Sequence, residues 1–99
     1  MEIVRTIRFD EVDYDIGYEY RGFHYEVKSK ESLFLVRIYD DDREHAIIVR
    51  PTSKPENEAL KELVALFRTE FKISRVSLYK GDSGSYAQID LETLSFFPS

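Results

Sequence analysis

Apolar and polar residues alternate along most of this chain, the periodicity of strands, and one segment switches to helical spacing. Ile3, Ile7 and Phe9 share a parity that Arg5 interrupts, which predicts a strand over residues 2 to 9. The acidic run Asp10-Glu11-Val12-Asp13 is expected to end it. Ile16, Tyr18 and Tyr20 then alternate with Gly17 and Glu19, and Phe23, Tyr25 and Val27 with His24 and Glu26. Arg21-Gly22 falls between these runs, so residues 16 to 27 read as an aromatic hairpin. Leu33 to Tyr39 is apolar on both parities, as expected of a central strand covered on both faces. After the turn Asp40-Asp41-Asp42-Arg43-Glu44, the β-branched run His45 to Arg50 should pair with it antiparallel.

Pro51 ends that strand. Ser53-Lys54-Pro55-Glu56 has the spacing of a capping box, and Leu60, Leu63, Val64, Phe67 and Phe71 form one apolar stripe. Together they predict a helix over roughly residues 54 to 72. Val76 and Leu78, then Ala87, Ile89 and Leu91, give a second hairpin across the loop from Lys80 to Ser85. The apolar end Leu94-Ser95-Phe96-Phe97 is expected to dock on the core or cover a sheet edge. If the helix joins strands 45–50 and 74–79 as a parallel pair, the crossover should be right-handed. The predicted fold is therefore α+β, a mostly antiparallel sheet of five or six strands with one long amphipathic helix packed on one face. The second face then needs another cover.

A chain of 99 residues has the length of one domain, so residues 1–99 are read as a single α+β domain. Cysteine is absent, which excludes disulfides and thiolate chemistry. Charges at Glu2, Arg5 and Arg8 interrupt the N-terminal apolar residues, so neither a signal peptide nor a membrane span is read there, and a cytoplasmic protein is expected. The formal charge of −5 disfavours nucleic acid without excluding a local basic patch. Seven Tyr and seven Phe are too many for a disordered chain.

Candidate chemistry is sparse. Gly81-Asp82-Ser83-Gly84 matches four residues of the trypsin-like nucleophile signature, but the chain is too short for two β-barrels and Ser85 stands where glycine would follow. A glycine-containing hairpin loop is the better account. His24 and His45 are the only imidazoles, too few for a convincing zinc site. The acids at 10–15 and 40–44 lack the spacing of a calcium loop and read as solvated turns. No catalytic set, metal site or cofactor is assigned. The richest feature is Tyr18, Tyr20, Arg21, Phe23 and Tyr25, a candidate contact surface for which sheet packing is the favoured account, a protein interface the second, and base stacking the last because of Glu19, Glu26 and the net charge.

Asn57-Glu58-Ala59-Leu60, followed by Val76, Leu78, Gly81 and Ser83, resembles the helix start, strand and serine-containing turn of the small uncharacterised bacterial YggU-like family. The likeness covers roughly residues 46 to 91. It departs where Thr52-Ser53-Lys54-Pro55 replaces a glycine-rich approach, and where Gly84 and Tyr86 replace basic turn residues. The resemblance implies an α+β fold with a helix across a sheet, and no activity.

The first functional expectation is a non-catalytic protein-interaction or regulatory module, with a homodimer or another protein as partner, using the aromatic hairpin or a free sheet edge. The first alternative is a weak single-stranded nucleic-acid binder through residues 16–27. The second is a small enzyme using a carboxylate with His24 or His45. The balance leans against an enzyme.

Overall fold

The computed structural model describes residues 1–29, 32–51, 55–80, 84–94 and 96–97. For Ser85, Phe96 and Phe97 it describes the backbone alone. The elements are β1 (Glu2–Asp13), β2 (Tyr18–Ser29), β3 (Ser32–Tyr39), β4 (His45–Arg50), α1 (Asn57–Phe71), β5 (Arg75–Lys80), β6 (Ser85–Ile89) and the two-residue β7 (Phe96–Phe97). All strands form one sheet whose spatial order is the chain order. Six carry it, and β7 is a short addition at one edge. Neighbours are antiparallel except β4 and β5, which the helix joins as a parallel pair. The fold is thus α+β with a mixed sheet.

The helix is shorter than its periodicity implied. It runs for 15 residues from Asn57, with Glu56 as an extended N-cap at φ −61° and ψ 148° that makes no side-chain capping bond. Glu56 is therefore outside the helix, not its third residue, and the Ser53 half of the expected capping box lies outside the described residues. The first helical bond is the Leu60 amide to the Glu56 carbonyl, at 2.9 Å. Leu60, Leu63, Val64 and Phe67 are buried. They pack into one core with Val27 of β2, Phe34, Val36 and Ile38 of β3, Ala46 and Ile48 of β4, Val76 and Leu78 of β5, and Ile89 of β6. Each fully buried apolar side chain contributes about 1.5–3 kcal/mol. Phe67 stacks on Phe71 at 5.2 Å and meets Tyr25 edge-on at 5.9 Å, which fastens the helix to β2.

The first hairpin lies elsewhere than expected. Residues 18–29 form one continuous strand running straight through Arg21-Gly22, and the reversal is at Tyr14–Gly17. Asp13 accepts the Asp15 amide through its carboxylate at 3.0 Å, and Gly17 takes φ +67°, so this segment supplies both devices a tight turn requires. Asp10 to Asp13, expected to end β1, instead continue it opposite Arg21, Tyr20, Glu19 and Tyr18. Arg21 rewards that continuation with a 3.3 Å contact to Asp10. At the other edge the tail behaves as expected, Phe97 and Phe96 pairing with Gln88 and Ile89.

Gly22 is required for packing and not for a turn. A Cβ there would stand 2.2 Å from the Ile38 carbonyl oxygen and 2.9 Å from Phe9 Cζ. Gly22→Ala is expected to cost about 3 kcal/mol, at the upper end for overpacking because the nearest atom is backbone. Equilibrium urea unfolding measures this, and a loss below about 1 kcal/mol would show that β2 and β3 part without strain.

Candidate functional site

Strand alternation distributes the aromatic residues of β2 between two faces. Phe23 and Tyr25 point to the helix side, where Tyr25 is 4.8 Å from Phe71 and Phe23 carries the Arg8 guanidinium at 4.9 Å. Arg21 shares their parity and bridges Asp10 and Glu19. Tyr18 and Tyr20 point to the other face. The five residues of the candidate surface are therefore not brought together. Tyr18 and Tyr20 instead line a cavity together with side chains from β3, β4, β5 and β6.

That opposite face bears no second helix or sheet among the described residues. Its centre is a layer built on Phe9, which fills the space that Gly22 leaves. His24 stacks on Phe9 at 4.6 Å, Tyr39 meets it edge-on at 5.6 Å, and Arg37 lies over it at 4.9 Å. The Arg37 guanidinium donates to His24 Nε2 at 2.7 Å and to the Tyr39 hydroxyl at 3.0 Å. Arg37 thus spreads over aromatic surface with its Nε and one Nη engaged, an arrangement worth about 0.5–2 kcal/mol in cation–π attraction.

Beside this layer is a cavity of about 590 Å³ with walls from Tyr18, Tyr20, Tyr39, Tyr86 and Ile47. Asp41, Asp42, His45 and Arg75 complete its lining. Tyr18 is hydrogen-bonded to Asp41 and packs against Tyr20 at 4.7 Å. Tyr86 stacks obliquely on Tyr79 at 5.2 Å. Tyr18 and Tyr86 are 43% and 42% exposed, so the rings present free area at the cavity mouth.

Next to the cavity, Asp42, His45 and Ser77 form a chain of contacts. His45 Nδ1 is 3.4 Å from Asp42, and His45 Nε2 is 2.7 Å from Ser77 Oγ. Asp42 also takes the Arg75 guanidinium at 2.6 Å. Burial first, then the Arg75 charge, pushes the His45 pKa down, and Asp42 offsets only part of this. The imidazole is therefore neutral at pH 7, accepting from Ser77 when Nδ1 carries the proton. Burial and Arg37 lower the His24 pKa in the same way. No group of three or more His, Asp or Glu able to hold a metal occurs among the described residues.

The connectivity Asp–His–Ser is that of a nucleophilic triad, but the setting differs. Ser77 is 5% exposed in the interior of β5, between Ile47 of β4 and Gln88 of β6. Ladder pairing on both sides leaves no free pair of amides to stabilise an oxyanion. Of the Gly81-Asp82-Ser83-Gly84 motif only Gly84 is among the described residues, at φ +66° in the turn before β6.

Sequence reasoning missed Tyr39, Tyr86, Arg75 and Ser77. Their parity was legible within each strand, but their meeting depends on strand order across β2 to β6. Fold and site together define a helix-backed mixed sheet with an open, tyrosine-walled face. No protein-family model, curated protein or solved structure matches the chain.

Both histidine shifts make stability depend on pH. Their folded pKa values lie below the ordinary value near 6.5, so below that pH the unfolded chain binds more protons. Stability should be full above about pH 6.5 and fall as pH drops toward the folded values. Urea unfolding between about pH 7.5 and 5.5 should show this decline, and His24→Gln with His45→Gln should flatten it. A decline of equal size in the double variant would assign it to other groups.

Proposed function

We propose that this protein is a non-catalytic binding module that receives a side chain or loop of a protein partner on the open face of its sheet. The observation that carries this reading is the cavity between Tyr18, Tyr20, Tyr39 and Tyr86. Its volume of about 590 Å³ falls within the range of pockets that hold a ligand or a large side chain. Tyrosine combines apolar area with a hydroxyl handle and is enriched where proteins anchor one another. Arg37 and Arg75 are already held within the face, and Asp41 and Asp42 flank the mouth, so the chemistry favours a polypeptide over a phosphate backbone. The resemblance of residues 46–91 to the YggU-like family adds no activity to this reading.

Peptide display against the immobilised protein tests it. Recovered peptides should compete with one another, lose at least about tenfold in affinity on Tyr86→Ala, and keep their affinity on Tyr14→Ala, an exposed tyrosine outside the cavity. Peptides indifferent to Tyr86→Ala would overturn it.

A second reading, a small hydrolytic enzyme, has the Asp42–His45–Ser77 chain in its favour, with His45 as base and Ser77 as nucleophile. The burial of Ser77 and the engaged strand amides rank it second. Intact mass after treatment with a fluorophosphonate discriminates: an adduct on the parent protein that Ser77→Ala abolishes supports the enzyme, and unmodified protein counts against it.

A further inference from the structure

The two edges of the sheet are treated differently. Beyond β6 the chain supplies its own cover in β7, whereas β1 exposes an edge of 12 residues with no strand beside it among the described residues. Such a length of unpaired amides and carbonyls is a template for another strand, and bulges and charges are the usual protections. β1 has a bulge between Ile3 and Arg5, which leaves Arg5 to Asp13 in regular register with β2. The charges of that regular stretch are ordered: Arg5 and Arg8 precede Asp10, Glu11 and Asp13.

We propose that residues 5–13 pair antiparallel with the same stretch of a second copy of this chain. The two-fold axis passes beside Phe9, so that Arg5 faces the partner's Asp13 and Arg8 faces the partner's Asp10. This names a partner and a surface that the cavity reading does not involve.

The register follows from symmetry and charge. Directly opposed residues in an antiparallel pair share a face, and a two-fold axis normal to the sheet maps each face onto itself. Opposed residue numbers must then have an even sum, which confines the centre to a residue and leaves few choices. Centring on Arg8 or Asp10 sets that charge against its own copy. Centring on Thr6 pairs only residues 5 to 7 of the regular stretch, and centring on Ile7 makes no ion pair within it. Centring on Phe9 opposes two arginines to two aspartates on each side of the dyad with no like charges opposed. Even sums also mean that both members of a pair direct their amides to the same side of their strands, so the ladder can form. Arg5 is open to this use, with a side chain 65% exposed and its Glu26 contact stretched to 3.9 Å. Arg8 and Asp10 already touch Asp40 and Arg21, so the new pairs extend existing networks. The two open faces then lie on one side of a continuous sheet.

Sedimentation equilibrium at low salt tests the pairing. The parent protein should dimerise. Arg5→Asp alone and Asp13→Arg alone should each weaken the dimer about tenfold, because each sets two like-charge pairs across the dyad. An equimolar mixture of the two variants should restore it, since both opposed pairs are then Asp with Arg. A parent protein that stays monomeric, or a mixture no tighter than the separate variants, would overturn the proposal. Asp13 also holds the β1–β2 turn, so a second measurement avoids it. The chain has no cysteine, and a mixture of Thr6→Cys and Val12→Cys should cross-link faster than either variant alone. Faster cross-linking of one variant with itself would overturn the register. Tyr86→Ala should leave the dimer unchanged, which separates failure here from failure of the cavity reading.

Discussion

One helix has to cover a sheet wider than itself. Fifteen residues make a rod about 22 Å long and about 10 Å across, whereas six strands at about 4.8 Å spacing span about 24 Å, and the 12-residue β1 and β2 run about 40 Å along their length. The apolar stripe of α1 therefore protects the middle of one face, over Val27, Phe34, Val36, Ile48 and Leu78. The far ends of β1 and β2 extend past it, with Asp10–Asp13 against Tyr18–Arg21. Whatever holds those ends must come from side chains.

The turn after β3 does much of that holding. Asp40 grips Arg8 of β1 through two hydrogen bonds of 2.8 and 2.7 Å, which keeps its carboxyl below the usual range. Asp41 meets Tyr18 of β2, and Asp42 meets Arg75 of β5 together with His45. Three consecutive carboxylates thus reach four strands, β1, β2, β4 and β5. Exposed pairs of this kind contribute little individually because solvent screens them, but they fix the positions of Tyr18 and His45 at the cavity. Arg37 does the same from the other side, positioning His24 and Tyr39 over Phe9.

Local pattern made most of this fold legible. The stripe of α1, the β3–β4 and β5–β6 pairs and the edge-covering tail all follow from periodicity and turn residues. Reading failed where one device served another purpose. Gly22 looks like a turn glycine but admits the Phe9 ring and the β3 backbone. Asp10 to Asp13 look like a break, yet Arg21 across the ladder makes their charge acceptable in a strand. The candidate surface was half legible: Tyr18 and Tyr20 belong to the open face, while Arg21, Phe23 and Tyr25 face the other way. Contiguity in sequence is not contiguity in a sheet, because successive residues oppose one another in direction.

Spatial order that repeats chain order has a kinetic side. Every strand but one pairs first with its immediate predecessor through a short connection, so most contacts close small loops and the chain has low contact order for a β-rich protein. The exception is the parallel seam of β4 and β5, where residues 46 and 76 must meet across the whole helical connection. Loop-closure entropy is concentrated at that one step. The four-stranded meander of β1–β4 and the α1–β5–β6 unit can each assemble locally. Their union along the seam, with α1 folding down onto both, closes the largest sequence separation between paired residues in the sheet.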